Sequence, residues 1–140
     1  MEIKMALYLP RDAASVPVTR RVLDRCLETL GVMPDTRADI ALALSEACAN
    51  VVQHAGPHQG YEVNVEIDDE RCRICVADEG GGFDPEAVAG TPDDPLLEGG
   101  RGLLLMRALV DRLDFTLDPD GRHRVTFEKD LGPHPALAQG

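Results

Sequence analysis

The chain has 140 residues, 44% of them hydrophobic, and its 25 acidic and 14 basic side chains give a net charge of −11. This composition suits one globular domain with a buried core, and the sparse Lys and Arg make nucleic acid a poor partner. No apolar run approaches the ~20 residues of a membrane span, and the first residues do not resemble an export signal. We therefore expect a cytoplasmic protein that contacts no membrane and whose acidic surface favours basic protein partners.

The first third of the chain predicts one strand and two helices. A strand is expected over residues 2–9, and a helix over 16–30 with Ser15 as its N-cap. The second helix begins at Pro34 and runs to about residue 55, where Gly56 and a proline stop it. The apolar residues expected to face the core from the first helix recur every four positions: Val18, Val22, Cys26 and Leu30.

The second helix combines an apolar stripe with a polar back face. At ~100° per residue, Glu46 and Asn50 lie one turn apart, offset by about 40°, so an acidic oxygen and an amide oxygen project together. A polar back face is also what any surface helix shows, so this pair alone does not identify a site. The stripe expected to be buried is Ile40, Leu44, Cys48, Val51 and Ala55.

Two alternating strands follow, over residues 61–67 and 72–78, joined by a turn at 68–71. Cys72 and Cys75 match a CxxC pattern, but residues three apart on a strand point to opposite faces. They could not hold a metal together there. We expect reduced thiols, as in other cytosolic proteins.

The second half of the chain predicts a lid, a helix and two closing strands. Residues 85–100 contain three prolines and three glycines without periodicity, which indicates a mobile segment over a site. A helix is expected over 101–110, then strands over 112–117 and 123–129. The apolar side expected for that helix consists of Leu104, Leu105, Ala108 and Leu109.

This order of elements predicts the α+β class: a two-layer α/β sandwich in which a mixed, mostly antiparallel sheet is covered on one face by three helices. Residues 1–131 are expected to form a single domain, and 132–140 a flexible tail. The order differs from an alternating nucleotide-binding fold, and no GxxxxGK[ST] sequence is present.

Three separate stretches carry groups suited to a nucleotide. Asp78 ends a strand and can accept a hydrogen bond from the exocyclic amine of adenine, while Gly80 and Gly82 let the backbone approach a flat ligand. The glycines around Arg101 precede a helix, whose N-terminal N–H groups bind anions. A plain Asp-Gly turn and a glycine hinge would explain the same residues.

Glu46 and Asn50 add what phosphoryl transfer requires. An amide oxygen is a suitable ligand for Mg²⁺ beside phosphate oxygens and water. A carboxylate can deprotonate an attacking hydroxyl. His54, one turn further on, could contact phosphate or simply pack at the helix end.

Together, the Glu-x-x-x-Asn helix, the Asp-x-Gly-x-Gly stretch and the Gly-Gly-Arg-Gly-Leu stretch resemble the GHKL superfamily, which has the Bergerat ATP-binding fold. The amino-acid sequence over 44–55, 78–85 and 99–111 is most similar to that of bacterial anti-sigma-factor serine/threonine kinases, and the resemblance covers residues ~5–130. It implies that ATP and Mg²⁺ are the cofactors. It implies Glu46 as the catalytic base, Asn50 as the Mg²⁺ ligand and Asp78 as the residue that reads adenine.

The resemblance also implies the remaining ATP-binding residues. Thr126 on the last strand would support the contact of Asp78 with adenine, although its alternation with Val125 and Phe127 would also suit a solvent-facing position. The other implied ATP-binding residues are Asn50, His54, Gly80, Gly82, Gly99, Gly100, Arg101, Gly102 and Leu103.

Members of this family bind a sigma factor, phosphorylate a STAS-type anti-anti-sigma protein and commonly form homodimers, so these partners are expected here. The alternative is a non-catalytic ATP-binding module of the same fold that sequesters a protein partner. A histidine kinase or a gyrase-like ATPase would need further domains, for which 140 residues leave no room.

Overall fold

A computed structural model describes residues 1–54, 60–78, 100–117 and 123–132. Most of the predicted lid and all but the first residue of the predicted tail lie outside these ranges. The described elements follow the predicted order. They are β1 (Ile3–Leu9), α1 (Ser15–Thr29), α2 (Pro34–His54), β2 (Tyr61–Ile67), β3 (Arg71–Asp78), α3 (Gly100–Leu109), β4 (Arg112–Leu117) and β5 (His123–Asp130).

The five described strands form one sheet in the order β1-β2-β3-β5-β4, and every pairing is antiparallel. The predicted α+β class is confirmed. The β2–β3 turn closes because the Asp68 carboxylate accepts the backbone N–H groups of Glu70 and Arg71 at 2.7 and 2.8 Å.

Strand alternation buries one face of the sheet under the helices and leaves the other face open. Cys72 is buried on the helix side, whereas Cys75 lines a groove on the open side, so the two thiols point apart as predicted. All four cysteines are free. The buried residues of β2 and β3 are Tyr61, Val63, Val65, Ile67, Cys72, Ile74, Val76, Ala77 and Asp78.

Helix α2 is the central helix of the covering layer, and it contacts α1, α3, β3 and β5. The predicted stripe through Ile40, Leu44, Cys48 and Val51 is buried, and Ala43 and Ala47 are buried beside it. Ala55 lies outside the described residues. Among the helices that the structure describes, none combines the length and apolar character that a membrane span requires.

The predicted core face of α1 is only partly right: Cys26 and Leu30 pack against the core while partly buried, but the fully buried stripe is a neighbouring one. The side chains that α1 buries are Ser15, Thr19, Leu23 and Leu27. Val18 and Val22 are 55% and 37% exposed. Ser15 is the first helical residue rather than the N-cap, and its hydroxyl points inward. Apolar residues lie on two adjacent stripes of α1, so periodicity alone could not choose between them.

The predicted apolar side of α3 is also wrong. Met106 is the buried residue, whereas Leu104 and Leu105 are 65% and 36% exposed. Met106 lies between the predicted positions along the helix, and the packing of α3 against α2 selects it.

Candidate functional site

Glu46 and Asn50 occupy the flank of α2 that faces away from α1. The opposite flank is held by Arg37, which pairs with two carboxylates of α1 at 3.1 and 3.4 Å, and by Val52, whose carbonyl accepts a hydrogen bond from Arg11 Nε at 2.5 Å. At ~100° per residue, Glu46 and Asn50 lie at least about 120° around the helix from both contacts. Both side chains are partly exposed, so a ligand can reach them.

A buried polar cluster joins α1, α2 and β2 behind this flank. The Tyr61 hydroxyl lies 2.5 Å from Ser15 Oγ, which also donates to the Asp12 carbonyl at 2.6 Å, and Tyr61 shares a hydrogen bond with the Cys48 thiol. Burial raises the pKa of Cys48 to about 12 and also raises the pKa of Tyr61. Both groups therefore stay protonated at neutral pH, and they tie α2 to the sheet.

The same cluster brings the strand end at Asp78 close to the helix that carries Glu46 and Asn50. Tyr61 lies directly opposite Asp78 in the β2–β3 register, and both side chains are buried on the helix side, Asp78 being only 2% exposed. Directly opposed residues have Cβ atoms about 5 Å apart. Because Cys48 lies midway between Glu46 and Asn50 along α2, the turn that carries them lies near the end of β3 at Asp78. Their side chains lie about 160° around the helix from Cys48.

Helix α3 begins within the Gly-Gly-Arg-Gly-Leu stretch, the third part of the predicted site. Gly100 is its first residue, and Arg101, Gly102 and Leu103 follow in the first turn. The free N–H groups of this turn can bind an anion, and α3 packs against α2. The side chains of Arg101 and Leu103 lie outside the described part.

Several predicted site residues lie wholly or partly outside the described part of the chain. Gly80, Gly82 and Gly99 lie outside the described residues. His54 is the last residue of α2, and its side chain is likewise outside the described part.

Thr126 does not lie beside Asp78. On β5 it is opposite Cys75, and both residues line a groove of about 580 Å³ on the open face of the sheet. Asp78 is buried on the helix face, because alternate residues of β3 point to opposite sides. The expected support of the Asp78–adenine contact by Thr126 does not fit this geometry, and the solvent-facing alternative does.

The amide oxygen of Asn50 on α2 suits a magnesium ion that phosphate oxygens also coordinate. Among the described residues, no three His, Cys, Asp or Glu side chains are grouped as a metal site. Mg²⁺ usually keeps several waters and takes one or two protein ligands beside substrate phosphates. The partly exposed amide of Asn50 can supply one such oxygen.

The supporting roles of Ser15, Tyr61 and Arg11 did not follow from the sequence. A tyrosine in an otherwise apolar strand face was the available signal, because a buried hydroxyl needs a hydrogen-bond partner. The contact of Arg11 with Val52 joins residues 41 positions apart. We find no local sequence signal for it.

Comparison with known proteins identifies the family of this chain. The histidine kinase-like ATPase domain matches residues 9–129. The serine-protein kinase RsbW of Bacillus pumilus is 34% identical over 122 residues, which cover 77% of this chain and 75% of that protein. RsbW of Bacillus subtilis is 34% identical over 118 residues, covering 76% and 74%.

Solved structures show the same fold. The structure of the RsbU and RsbW domains of a Mycobacterium tuberculosis protein matches with a TM-score of 0.70 and 22% identity, over 92% of this chain and 32% of that one. The SiaB–SiaC complex of Pseudomonas aeruginosa matches with a TM-score of 0.64 and 14% identity, over 90% and 89%. The chain belongs to the histidine kinase-like ATPase family, within its group of RsbW serine-protein kinases.

Proposed function

We propose that this protein is an ATP-dependent serine/threonine protein kinase that acts as an anti-sigma factor. It would bind a sigma factor and phosphorylate a STAS-type anti-anti-sigma antagonist. The observation that carries the proposal is the hydrogen bond between Cys48 of α2 and Tyr61, which lies opposite Asp78. At this crossing the turn of α2 that carries Glu46 and Asn50 meets the end of β3. The family membership supports the same activity.

Each group at this crossing has a distinct role in the proposal. ATP with Mg²⁺ supplies the phosphoryl group when it is bound. Glu46 accepts the proton of the attacking hydroxyl, and the Asn50 amide oxygen ligates the metal. Asp78 accepts a hydrogen bond from the adenine amine, which offsets the cost of burying its carboxylate.

The glycine stretches and the N-terminus of α3 complete the proposed nucleotide site. Gly80 and Gly82 would shape the adenine pocket. The first turn of α3 would bind phosphate through its backbone N–H groups and Arg101. The other residues proposed there are His54, Gly99, Gly100, Gly102 and Leu103.

The proposed kinase is cytoplasmic, forms a homodimer and contacts neither nucleic acid nor membrane. Its net charge of −11 opposes binding to polyanions, which supports protein partners instead.

A second candidate function is a non-catalytic ATP-binding module that sequesters its partner. One observation supports the partner binding that this candidate requires: Val18, Arg21, Val22 and Arg25 form an exposed stripe on α1 with the composition of a protein contact surface. Among the described residues, Arg21 and Arg25 form no ion pair, whereas the acidic residues of α1 are held by Arg37. This stripe serves partner binding under either function.

A phosphotransfer assay separates the two functions. A purified STAS protein is incubated with the kinase, Mg²⁺ and γ-labelled ATP, and we expect label on a serine or threonine of that protein. Glu46→Gln should lower the rate about 10²- to 10⁴-fold, the usual contribution of a general base, with ATP affinity nearly unchanged. Label at the wild-type rate with Glu46→Gln would disprove the role of Glu46.

Asp39→Asn is the matched control, because Asp39 lies on the same side of α2, two turns earlier, and pairs with Lys129 at 3.4 Å. It should keep the wild-type rate. Partner binding without any transfer of label would favour the non-catalytic module.

ATP binding itself can be measured as a gain in stability. ATP at a hundred times its dissociation constant should raise the free energy of unfolding by about 2.7 kcal/mol.

A further inference from the structure

The connection from β1 to α1 reaches α2 at two positions one turn apart. At the start of α1, Ser15 Oγ is hydrogen-bonded to the Tyr61 hydroxyl, which shares a hydrogen bond with the Cys48 thiol of α2. Earlier in the connection, Arg11 Nε donates a hydrogen bond to the carbonyl of Val52 at 2.5 Å. Because Cys48 and Val52 are four residues apart, both contacts lie on the same side of α2. The connection therefore holds the last two turns of this helix.

The contact of Arg11 lies at the C-terminal end of α2. The helix ends at His54, and the last four carbonyl groups of an α-helix have no N–H partner within it. The Val52 carbonyl is one of these four, and the guanidinium group of Arg11 donates to it. A positive charge at this end also interacts favourably with the helix dipole. Arg11 therefore caps the last turn of α2.

Asn50 lies at the start of this last turn. In an α-helix its backbone carbonyl accepts the N–H of His54, so opening of the turn would release the backbone of Asn50. Helix ends are where such local opening costs the least free energy. The Asn50 side chain is partly exposed and projects about 160° around the helix from Val52. A cap at Val52 thus stabilises the backbone of Asn50 from the opposite side of the helix.

We propose that Arg11 is a positioning residue for the metal ion that accompanies ATP. It keeps the last turn of α2 helical, and this fixes the direction of the Asn50 amide oxygen, which ligates Mg²⁺ in the proposed function. The inference rests on that function and adds a residue to it. Arg11 contacts neither the nucleotide nor the metal, and its effect passes through the backbone of α2.

A second arginine on the same side of α2 provides a matched comparison. Arg37 pairs with Asp24 and Glu28 of α1 at 3.4 and 3.1 Å, so it also joins α2 to its neighbour. At 1.5 Å per residue it lies about 20 Å along the helix from Asn50. Loss of Arg37 should therefore weaken the packing of the helices without disturbing the last turn of α2.

Calorimetry with a nonhydrolysable ATP analogue, with and without Mg²⁺, tests the proposal. The quantity compared is the gain in affinity that Mg²⁺ produces. Arg11→Met keeps an apolar stem but removes the donor and the charge, and it should lower this gain about 3- to 10-fold. The affinity without Mg²⁺ should stay unchanged. Arg11→Lys keeps a charge and a donor, so it should retain most of the gain.

Three further variants serve as controls. Arg37→Met should keep the full Mg²⁺ gain, although it removes ion pairs between α1 and α2. Asn50→Ala should abolish the gain, and adding Arg11→Met to it should cause no further loss, because Arg11 acts through Asn50. Arg11 is partly exposed, so its variants should fold, which far-UV circular dichroism checks.

Each contrary result has a defined meaning. A wild-type protein that binds no analogue would overturn the proposed function itself. If the analogue binds and Arg11→Met keeps the full Mg²⁺ gain, or if Arg37→Met loses as much, this inference is overturned and the kinase stands. An equal loss of affinity with and without Mg²⁺ would mean that Arg11 has a structural role alone. A further loss in the double variant would show that Arg11 does not act through Asn50.

Discussion

Removing the Tyr61 hydroxyl tests whether the buried cluster holds α2 over the end of β3. Tyr61 is fully buried, and its hydroxyl is hydrogen-bonded to Ser15 Oγ and to the Cys48 thiol. A typical buried hydrogen bond contributes about 0.5–1.5 kcal/mol net. Ser15 keeps its bond to the Asp12 carbonyl, so Tyr61→Phe leaves it with a partner. We expect Tyr61→Phe to lower the free energy of unfolding by about 1–2 kcal/mol.

Urea unfolding followed by circular dichroism measures this loss, and an unchanged m-value shows that the folded state stays compact. Tyr8→Phe is the matched control: Tyr8 is 69% exposed with no hydrogen bond from its hydroxyl in the described structure, so the change should stay within about 0.5 kcal/mol. A cycle of Tyr61→Phe with Ser15→Ala should show coupling of at least about 0.5 kcal/mol.

If Tyr61→Phe proves as neutral as Tyr8→Phe, or if the cycle shows no coupling, the cluster does not stabilise the crossing of α2 over β3. The buried cluster would then not couple the turn of α2 that carries Glu46 and Asn50 to the strand end at Asp78.

Two further predictions concern pH and nucleotide binding. Burial raises the pKa of Cys48 and of Cys72 from 9.0 to about 12, so the stability from these neutral thiols is present below pH 9 and is lost as pH rises toward 12. Above pH 9, ionisation of each thiol should lower the free energy of unfolding by about 1 kcal/mol per pH unit. Cys72→Val should roughly halve the loss between pH 9 and 10, measured by urea unfolding. A free energy of unfolding that stays constant over this range would contradict the prediction. Asp78→Asn should weaken ATP binding about 10- to 100-fold in calorimetry, and unchanged affinity would show that this carboxylate does not read adenine.

Local patterns in the sequence determined most of the elements. Strict alternation defines β2, and the apolar spacing of α2 left one arrangement for its buried stripe, so Ile40, Leu44 and Cys48 were predicted correctly. The Glu46–Asn50 pair on the back of α2 followed from the same helical geometry, because both residues belong to one element.

Relations between elements were decided by the tertiary structure. On α1 the sequence offers two adjacent apolar stripes, and contact with α2 and Tyr61 buries the one with Leu23 and Leu27 while exposing Val18. Likewise, the register of β5 against β3 fixes Thr126 opposite Cys75 and away from Asp78. Periodicity describes the faces of a single element, whereas the choice of the buried face depends on the neighbours that each face meets.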